Sequence, residues 1–380
     1  MAPKFVLAPN ALKGTLSAPD AARVMAEGVR RACPEALVVE LPIADGGDGT
    51  REVLARARQG STHERIVEDA LGRPIRAAFS LIDGDVGVVD VATASGLARL
   101  APQELDPLRA SSFGTGQLLS AALAAGARRL VLGVGGSACV DGGAGILEAL
   151  GARLLDSRDR PIERGGRGLR RLARLDLDRV DRRAGDGALS IACDVTNPLL
   201  GATGAARVFA PQKGATEEQV EELERSLSHF AGVLEQSLGR DVRAMVYGGA
   251  AGGIAAGLAA TLGAKLCSGI DLVLDQVEFE RELEGAFLVM TAEGRLDSQS
   301  ASNKGPLGVA RRARRANVPT VVLAGQIADD ISPGALECFA GAFSIARGST
   351  SVAHAQANAG PELRTLAESV ARRALEVRFR

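Results

Sequence analysis

Short apolar runs alternate with helical patterns along this chain, and this alternation constrains the fold more than any other feature. The runs read FVLAP, ALVVELPI, VGVVDV, RLVLGV, LSIACDV, FLVMTA, TVVLAG and AFSIA. Several are apolar at every position, as expected of parallel strands buried on both faces. Ser17 with Asp20, and Thr216 with Gln219, form capping-box patterns that mark helix starts. The pattern predicts an α/β fold with parallel sheet.

Two stretches depart from this alternation in a chain whose 380 residues predict two domains. In residues 153–187, aspartates interleaved with many arginines cancel most of the charge. We expect a solvated, extended region there, at the boundary of the second domain. Residues 244–264 are uncharged, with Gly249, Gly253 and Gly257 at every fourth position. Because Gly and Ala are weakly hydrophobic, this stretch predicts a buried helix after a Gly-rich turn and not a membrane span.

Composition argues against several classes of function. The formal net charge is -1 and aromatic residues make up 3%, so neither long-range attraction to nucleic acid or membrane nor base stacking is expected. The five cysteines are scattered without CxxC, which indicates reduced thiols and no zinc site. The histidines, His63, His229 and His354, lie outside the glycine-rich loops, which disfavours a Ser-His-Asp hydrolase. The apolar run in MAPKFVLAPN is too short for a signal peptide, so a cytoplasmic protein is expected.

Loops rich in Gly, Asp, Lys and Arg follow the predicted strands. They read NALKGTLS, ADGGDGT, GGSACVDGGAG, DVTNPLLGATGAARVFAPQKGA and AEGRLDSQSASNKGPLG. In open α/β sheets, ligands bind beyond the carboxyl ends of the strands. These loops are therefore expected to converge on one cleft.

The loop GVGGSACVDGGAG, residues 133–145, has the glycine density of a loop that holds an anion against backbone N–H groups. Gly133, Gly135 and Ala138 fit the dinucleotide fingerprint G-x-G-x-x-G/A, and Asp156 follows at the distance of a ribose contact. This interpretation predicts an NAD(P)-linked dehydrogenase of a small hydroxy acid. It gives no role to the aspartates and lysines of the other loops.

Phosphoryl transfer does give those residues a role, because it depends on positioning, cationic clamping and metal bridging. Mg²⁺ takes one or two carboxylates together with water and phosphate oxygens. The candidate carboxylates are Asp45, Asp48, Asp194 and Asp297. The candidate cations are Lys13, Lys213, Arg295 and Lys304. Lys213, next to a helix start, is expected to be peripheral. The sequence has no Walker A motif, so a kinase of this sequence uses another phosphate cradle.

Six motifs together resemble the bacterial type I glycerate kinases, in order from residue 5 to about residue 345. They read APNALKGTLSA, PIADGGDGT, SSFGTGQLL, GVGGSACVDGGAGILEALGA, CDVTNPLLGATGAARVFAPQKGA and AEGRLDSQSASNKGPLGVA. The resemblance implies ATP-dependent phosphorylation of D-glycerate in the cytoplasm, usually to 2-phosphoglycerate, with 3-phosphoglycerate as the other product. It also implies two α/β domains with a cleft between them. We expect a Rossmann-like domain from residues 1–66, 110–152 and 283–380, and a second, mixed α/β domain from residues 67–109 and 153–282.

The chain departs from the family pattern at several positions. Asn10 stands where the first loop usually has an acid, so it can act only as a neutral ligand. Cys139 and Val140 replace the usual Thr-Asn in the glycine loop. Ala292 and Asn303 each replace a glycine.

The resemblance, together with these residue types, predicts a role for each site residue. ATP phosphates are expected at Gly135, Gly136, Ser137, Asp141, Gly142 and Gly143, with Lys13 as the adjacent clamp. D-glycerate is expected at Arg295, Lys304 and Asn197, since Arg offers a carboxylate two parallel donors. Mg²⁺ is expected at Asp45, Asp48 and Glu293. Asp194 is expected to orient or deprotonate the hydroxyl of D-glycerate. Asp297 is the alternative candidate for this role.

Two other classes of function remain open at the level of sequence. One is the NAD(P)-linked dehydrogenase that would use the GVGGSA loop, and the other is a non-catalytic sensor of small hydroxy acids. The expected ligands of the kinase are ATP, Mg²⁺ and D-glycerate, with no nucleic acid and no membrane. The protein is expected to be a monomer or a homodimer.

Overall fold

The computed structural model describes residues 2–12, 14–297, 305–346 and 357–377. Its strands are β1 (Lys4–Leu7), β2 (Leu37–Glu40), β3 (Ser61–Glu68), β4 (Pro74–Ile82), β5 (Val86–Asp90), β6 (Arg129–Gly133), β7 (Arg153–Leu155), β8 (Arg174–Asp176), β9 (Leu189–Cys193), β10 (Lys265–Ser268), β11 (Ala286–Leu296), β12 (Thr320–Ile327) and β13 (Gly341–Ser344). Its helices are α1 (Ala18–Ala32), α2 (Thr50–Ala57), α3 (Val91–Ser95), α4 (Phe113–Ala124), α5 (Ala144–Ala149), α6 (Ala205–Phe209), α7 (Glu217–Leu238), α8 (Ala250–Leu262), α9 (Gly269–Gln276), α10 (Phe279–Leu283), α11 (Gly305–Arg315), α12 (Pro333–Leu336) and α13 (Ala359–Val377). The predicted α/β fold is confirmed.

The chain divides into two compact units. The terminal unit comprises residues 1–45 and 270–380, and the central unit comprises residues 46–269. These limits differ from the predicted domain boundaries, which placed residues 110–152 with the two chain ends. The predicted assignment of a Rossmann-like domain and a second, mixed α/β domain stays a prediction.

The terminal unit contains a five-stranded, fully parallel sheet in the order β13-β12-β11-β1-β2. Counted within this unit, the strand order is 2-1-3-4-5, a doubly wound arrangement whose connections change direction between its first and third strands. Helices α1 and α13 pack on each other, and the Cβ that Gly28 lacks would lie 2.4 Å from the Arg364 carbonyl oxygen. Ser17 caps α1 by accepting a hydrogen bond from the Asp20 N–H, as predicted.

The central unit contains a six-stranded sheet in the order β10-β9-β6-β5-β4-β3. Strands β5, β6, β9 and β10 are parallel, whereas β3 and β4 form an antiparallel hairpin at one edge. This hairpin was not predicted because β3, STHERIVE, is mostly polar and exposed. Helix α7 begins at Thr216 with the predicted capping box.

The arginine-rich stretch lies within the central unit and not at either of its limits. It contains the antiparallel pair β7-β8 and short 3-10 turns. Its arginines pair with nearby acids, as in Arg160 with Asp156 at 2.9 Å and Arg174 with Asp159 at 2.7 Å. Local pairing thus cancels the charge that the sequence concentrates here.

The uncharged stretch forms the buried helix α8, as predicted, but its first residues are not helical. Ala251, Gly252 and Gly253 have positive φ angles. In the regular part of the helix, Gly257 packs closely against Gly142. A Cβ at Gly257 would lie 1.9 Å from the Gly142 carbonyl oxygen. No helix in the described ranges is long and apolar enough to cross a membrane.

Candidate active site

In the terminal unit, the predicted site residues gather where the strand connections change direction. Asn10 lies three residues beyond the end of β1, and its N–H donates to the Ala292 carbonyl oxygen at 2.9 Å. Glu293 and Arg295 lie in β11, and Asp297 follows it. Ligands of doubly wound sheets bind at this position, outside the carboxyl ends of the strands.

Asn10 and Asp45 contact each other at this edge of the sheet. The buried Asn10 amide donates through Nδ2 to Asp45 Oδ2 at 3.3 Å, and Asp45 itself is half-buried. An acid at position 10 would place a second carboxylate beside Asp45, and like charges at this distance disfavour ionisation. Asn10 therefore gives Asp45 a hydrogen-bond donor where an acid would add only acceptor oxygens.

Arg295 presents its guanidinium to solvent next to Asp297. Their Nε and Oδ2 atoms are 3.5 Å apart, and the Arg295 side chain is 61% exposed. A pair this exposed contributes little to stability. Lys13 and Lys304 lie outside the described residues. Gly305, the residue after Lys304, lies against Asn10, with its missing Cβ 2.9 Å from Asn10 Nδ2.

In the central unit, the loop after Asp45 meets the glycine loop. A Cβ on Gly46 would lie 2.5 Å from the Ala192 carbonyl oxygen at the end of β9, and one on Gly135 would lie 2.5 Å from Gly47 Cα. The Gly135 N–H donates to the Gly46 carbonyl oxygen at 3.1 Å. The predicted convergence of the ADGGDGT and GVGGSA loops is thus confirmed within this unit.

The carboxylate of Asp90 accepts hydrogen bonds from the same loop, a role that was not predicted from the sequence. Its buried carboxylate ends β5 and accepts hydrogen bonds from the N–H groups of Gly49 and Arg51 at 3.1 Å, at the start of α2. Burial raises the pKa of Asp90 to about 7, and the nearby Asp48 charge adds to this. Its place at the end of the run VGVVD is the signal that could have identified it.

The other predicted polar residues of the central unit are more accessible. Asp48 is exposed, and Asp194 is half-buried directly after β9. The Asn197 amide donates to the Thr203 carbonyl oxygen at 2.8 Å. Asn197 therefore uses its NH₂ group within its own loop, which leaves its amide oxygen for a ligand.

The inner half of the glycine loop is occupied by the protein itself. Asp141 is fully buried and accepts hydrogen bonds from Ser112 N and Oγ at 2.8 and 2.9 Å, and from the N–H groups of Gly143 and Gly145. Gly142 donates to the Gly252 carbonyl oxygen at 3.1 Å. Burial raises the pKa of Asp141.

This arrangement corrects the predicted phosphate contacts of Asp141, Gly142 and Gly143. The N–H groups of both glycines already have acceptors, and the Asp141 carboxylate faces these donors. Phe230 packs 2.7 Å from the position of a Gly142 Cβ. High glycine density here reflects close packing, which sequence alone does not distinguish from anion binding.

The tip of the loop, residues 135–137, retains the features of an anion cradle. Gly136 is exposed with φ +72°, a conformation that favours glycine. Within the described chain, the N–H groups of Gly136 and Ser137 have no protein acceptor. Successive unbonded N–H groups in such a turn form an anion-binding concavity.

Lys213 contacts this tip, so the prediction that it is peripheral was wrong. It is 3% exposed, and its Nζ donates to Ser137 Oγ at 2.9 Å and to the Cys139 carbonyl oxygen at 2.7 Å. Burial lowers its pKa to about 8. The contact was not predicted because Lys213 and Ser137 lie far apart in the sequence.

Two other predictions are not supported by the geometry. Among the described residues, no three His, Cys, Asp or Glu side chains form a cluster that could hold a metal, and the predicted Mg²⁺ ligands stay a prediction. Asp156, the predicted ribose contact of a dehydrogenase, instead accepts hydrogen bonds from the backbone N–H groups of Arg158 and Arg160 and from the Arg160 side chain.

Comparison with known proteins agrees with the kinase interpretation and gives no support to a dehydrogenase. The model of the glycerate kinase family matches residues 5–375. Relatives include glycerate kinase of Bacillus subtilis, 42% identical over 97% of both chains, and glycerate 2-kinase of Escherichia coli, 41% identical over 86% of this chain and 86% of the relative. A crystal structure from Salmonella typhimurium LT2, provisionally named glycerate kinase 2, is 40% identical and superimposes over 100% of both chains with a TM-score of 0.86. The chain is a kinase that belongs to the glycerate kinase family.

Proposed function

We propose that this enzyme transfers the γ-phosphoryl group of ATP to the 2-hydroxyl of D-glycerate. The observation that carries the proposal is the similarity, over almost the whole chain, to relatives named glycerate kinase and glycerate 2-kinase. In the reaction, the hydroxyl oxygen forms a bond to the γ-phosphorus while the bond to the ADP oxygen breaks. The hydroxyl proton passes to a carboxylate and then to water.

For the nucleotide, we propose that the tip of the glycine loop binds ATP phosphates through the N–H groups of Gly136 and Ser137. These two groups have no acceptor among the described residues, which supports this assignment. Gly135 fixes the tip by packing on Gly47. Lys13 stays a predicted phosphate clamp on sequence grounds.

For D-glycerate, we propose that the Arg295 guanidinium binds the carboxylate, with Lys304 and Asn197 as further ligands. Exposure of Arg295 and its planar pair of donors support this role. Asp194, half-buried at the end of β9, is the proposed base. Asp297 is the alternative, since it lies 3.5 Å from the Arg295 Nε.

For the metal, we propose Asp45 as the first Mg²⁺ ligand, with Asp48 and Glu293 as further candidates. Mg²⁺ in kinases is held by one or two carboxylates, with phosphates and water completing the shell. The Asp45 side chain beside the neutral Asn10 amide offers oxygen ligands of the kind in that donor set. When bound, Mg²⁺ would neutralise the charge on the phosphate oxygens.

A coupled assay tests both the reaction and the hydroxyl that is phosphorylated. In this assay, the purified enzyme is supplied with ATP, Mg²⁺, D-glycerate and enolase. Enolase dehydrates 2-phosphoglycerate directly to phosphoenolpyruvate, which absorbs near 240 nm. We expect absorbance to rise with ADP release. ADP release without this absorbance, followed by recovery on adding phosphoglycerate mutase, would identify 3-phosphoglycerate as the product. No ADP release with D-glycerate would contradict the proposed function.

A further inference from the structure

Lys213 is a buried cation whose hydrogen-bond partners are both neutral. It ends a 3-10 turn, Pro211–Lys213, and donates to the Ser137 hydroxyl and the Cys139 carbonyl oxygen at 2.9 and 2.7 Å. In the part of the chain that the structure covers, no carboxylate forms an ion pair with Nζ. Buried charges are costly unless they are paired, so this ammonium calls for an anion.

The direction of the hydrogen bond determines what Ser137 can do. An ammonium group only donates, so Ser137 Oγ is the acceptor. The hydroxyl hydrogen of Ser137 is then available to another group. Together with the N–H groups of Gly136 and Ser137, it provides three donors at the loop tip.

We propose that Lys213 is a positioning residue for the ATP phosphates: it orients the Ser137 hydroxyl and gives the loop tip its positive charge. The inference rests on the proposed function and identifies a residue of the same site. Lys213 acts on the phosphates through Ser137.

The protonation of Lys213 should be observable in nucleotide binding. The titratable groups that face it are the Cys139 thiol and the Asp141 carboxyl, and burial raises the pKa of both, which favours their neutral forms. Lys213 itself has a pKa of about 8. A phosphate at the tip favours the ammonium form, so affinity for ADP falls as pH rises above 8.

The test compares K213M, S137A and the double variant, with K265M as the control because Lys265 is an exposed lysine of the same unit. Met matches the length of Lys and removes a buried charge, so we expect K213M to fold. Calorimetry with ADP and with tripolyphosphate should show an affinity loss of about 10- to 100-fold for K213M. The ATP KM should rise while the D-glycerate KM stays unchanged, and K265M should match the wild type.

Coupling between the variants distinguishes positioning from a structural role. If Lys213 acts through Ser137, the double variant loses little more than either single variant. K213M also loses the decline of ADP affinity above pH 8. Unchanged ADP affinity in folded K213M, or additive losses in the double variant, would overturn the inference.

Two further outcomes of these experiments would be interpreted differently. If K213M fails to fold, S137A decides: unchanged ADP affinity in S137A would overturn the inference. If the wild type binds ADP but does not phosphorylate D-glycerate, the proposed function fails while the assignment of Lys213 to phosphate binding can still stand.

Discussion

The carboxylate of Asp141 accepts hydrogen bonds from both the N–H and the hydroxyl of Ser112, at 2.8 and 2.9 Å, and thereby fixes the glycine loop to the start of α4. The same carboxylate accepts the N–H groups of Gly143 and Gly145. One buried side chain therefore organises the two motifs SSFGTGQLL and GVGGSACVDGGAG.

Replacing this carboxylate should destabilise the protein. D141A leaves several buried donors without an acceptor, and we expect a loss of about 3 kcal/mol or more in the free energy of unfolding. Differential scanning calorimetry measures the effect, with D178N as an exposed control. An unchanged unfolding temperature for D141A would contradict the assigned role.

Asp90 should make stability depend on pH. Burial raises its pKa from the ordinary value of 3.8 to about 7 on folding, so the folded state binds the proton more tightly than the unfolded state. Stability from this group is full below pH 4 and is lost as pH rises to about 7, a change on the order of 4 kcal/mol. The difference in unfolding temperature between wild type and D90N should decrease over this range. A difference that is constant from pH 4 to 8 would contradict the prediction.

Gly135 should not tolerate a methyl group. In G135A the new Cβ would lie 2.5 Å from Gly47 Cα, so the two loops must separate. We expect the ATP KM to increase by about 10-fold or more, because small displacements of positioning groups are costly.

Gly232 in α7 provides the matched control. Nothing lies within 4 Å of its Cβ position, so G232A should stabilise the protein by about 0.5–1 kcal/mol. Its steady-state kinetics should equal those of the wild type. If both alanine variants had wild-type kinetics, packing at Gly135 would have no role in nucleotide binding.

Arg295 should contribute to binding of the acceptor. R295M removes the guanidinium group with all of its N–H donors, and we expect the KM for D-glycerate to rise by about 10- to 100-fold with little change in the KM for ATP. R295K, which keeps the charge without the fork, should be intermediate. R314M changes an exposed arginine of the same unit and serves as the control. Equal D-glycerate KM values in R295M and R314M would remove Arg295 from the site.

Asp45 should affect the requirement for Mg²⁺. D45N removes a charged oxygen ligand, and we expect about a 100-fold lower kcat together with a higher half-saturating Mg²⁺ concentration. D329N, at an exposed aspartate of the same unit, should leave both quantities unchanged. A D45N enzyme with normal Mg²⁺ dependence would exclude this role.

The layered fold could be predicted because buried parallel strands have an obvious composition. All eight predicted runs are strands in the structure. The edge strand β3 lacks such a composition, since exposed polar side chains cover most of it. A hydrophobic pattern in the sequence indicates which residues are buried. An exposed edge strand is held by backbone hydrogen bonds, so such a pattern predicts it poorly.

The candidate site could be predicted only in part, because residue type does not show what a side chain contacts. Asp45 is half-buried and Arg295 is exposed, and their ligand-binding roles stay predictions. Asp141 was expected to contact ATP phosphates, but its carboxylate accepts hydrogen bonds from the protein itself. Lys213 was expected at the periphery of the site and is buried beside Ser137. These differences arise from tertiary packing between segments far apart in the chain.

The division of the chain has a consequence for its synthesis. The central unit is one continuous span, but β1 must pair with β11, which is translated about 280 residues later. At 5–20 residues per second, the ribosome needs roughly 15–55 seconds to make that interval. The central unit can fold before β11 has been made, so we infer that the sheet of the terminal unit is completed after the central unit has folded.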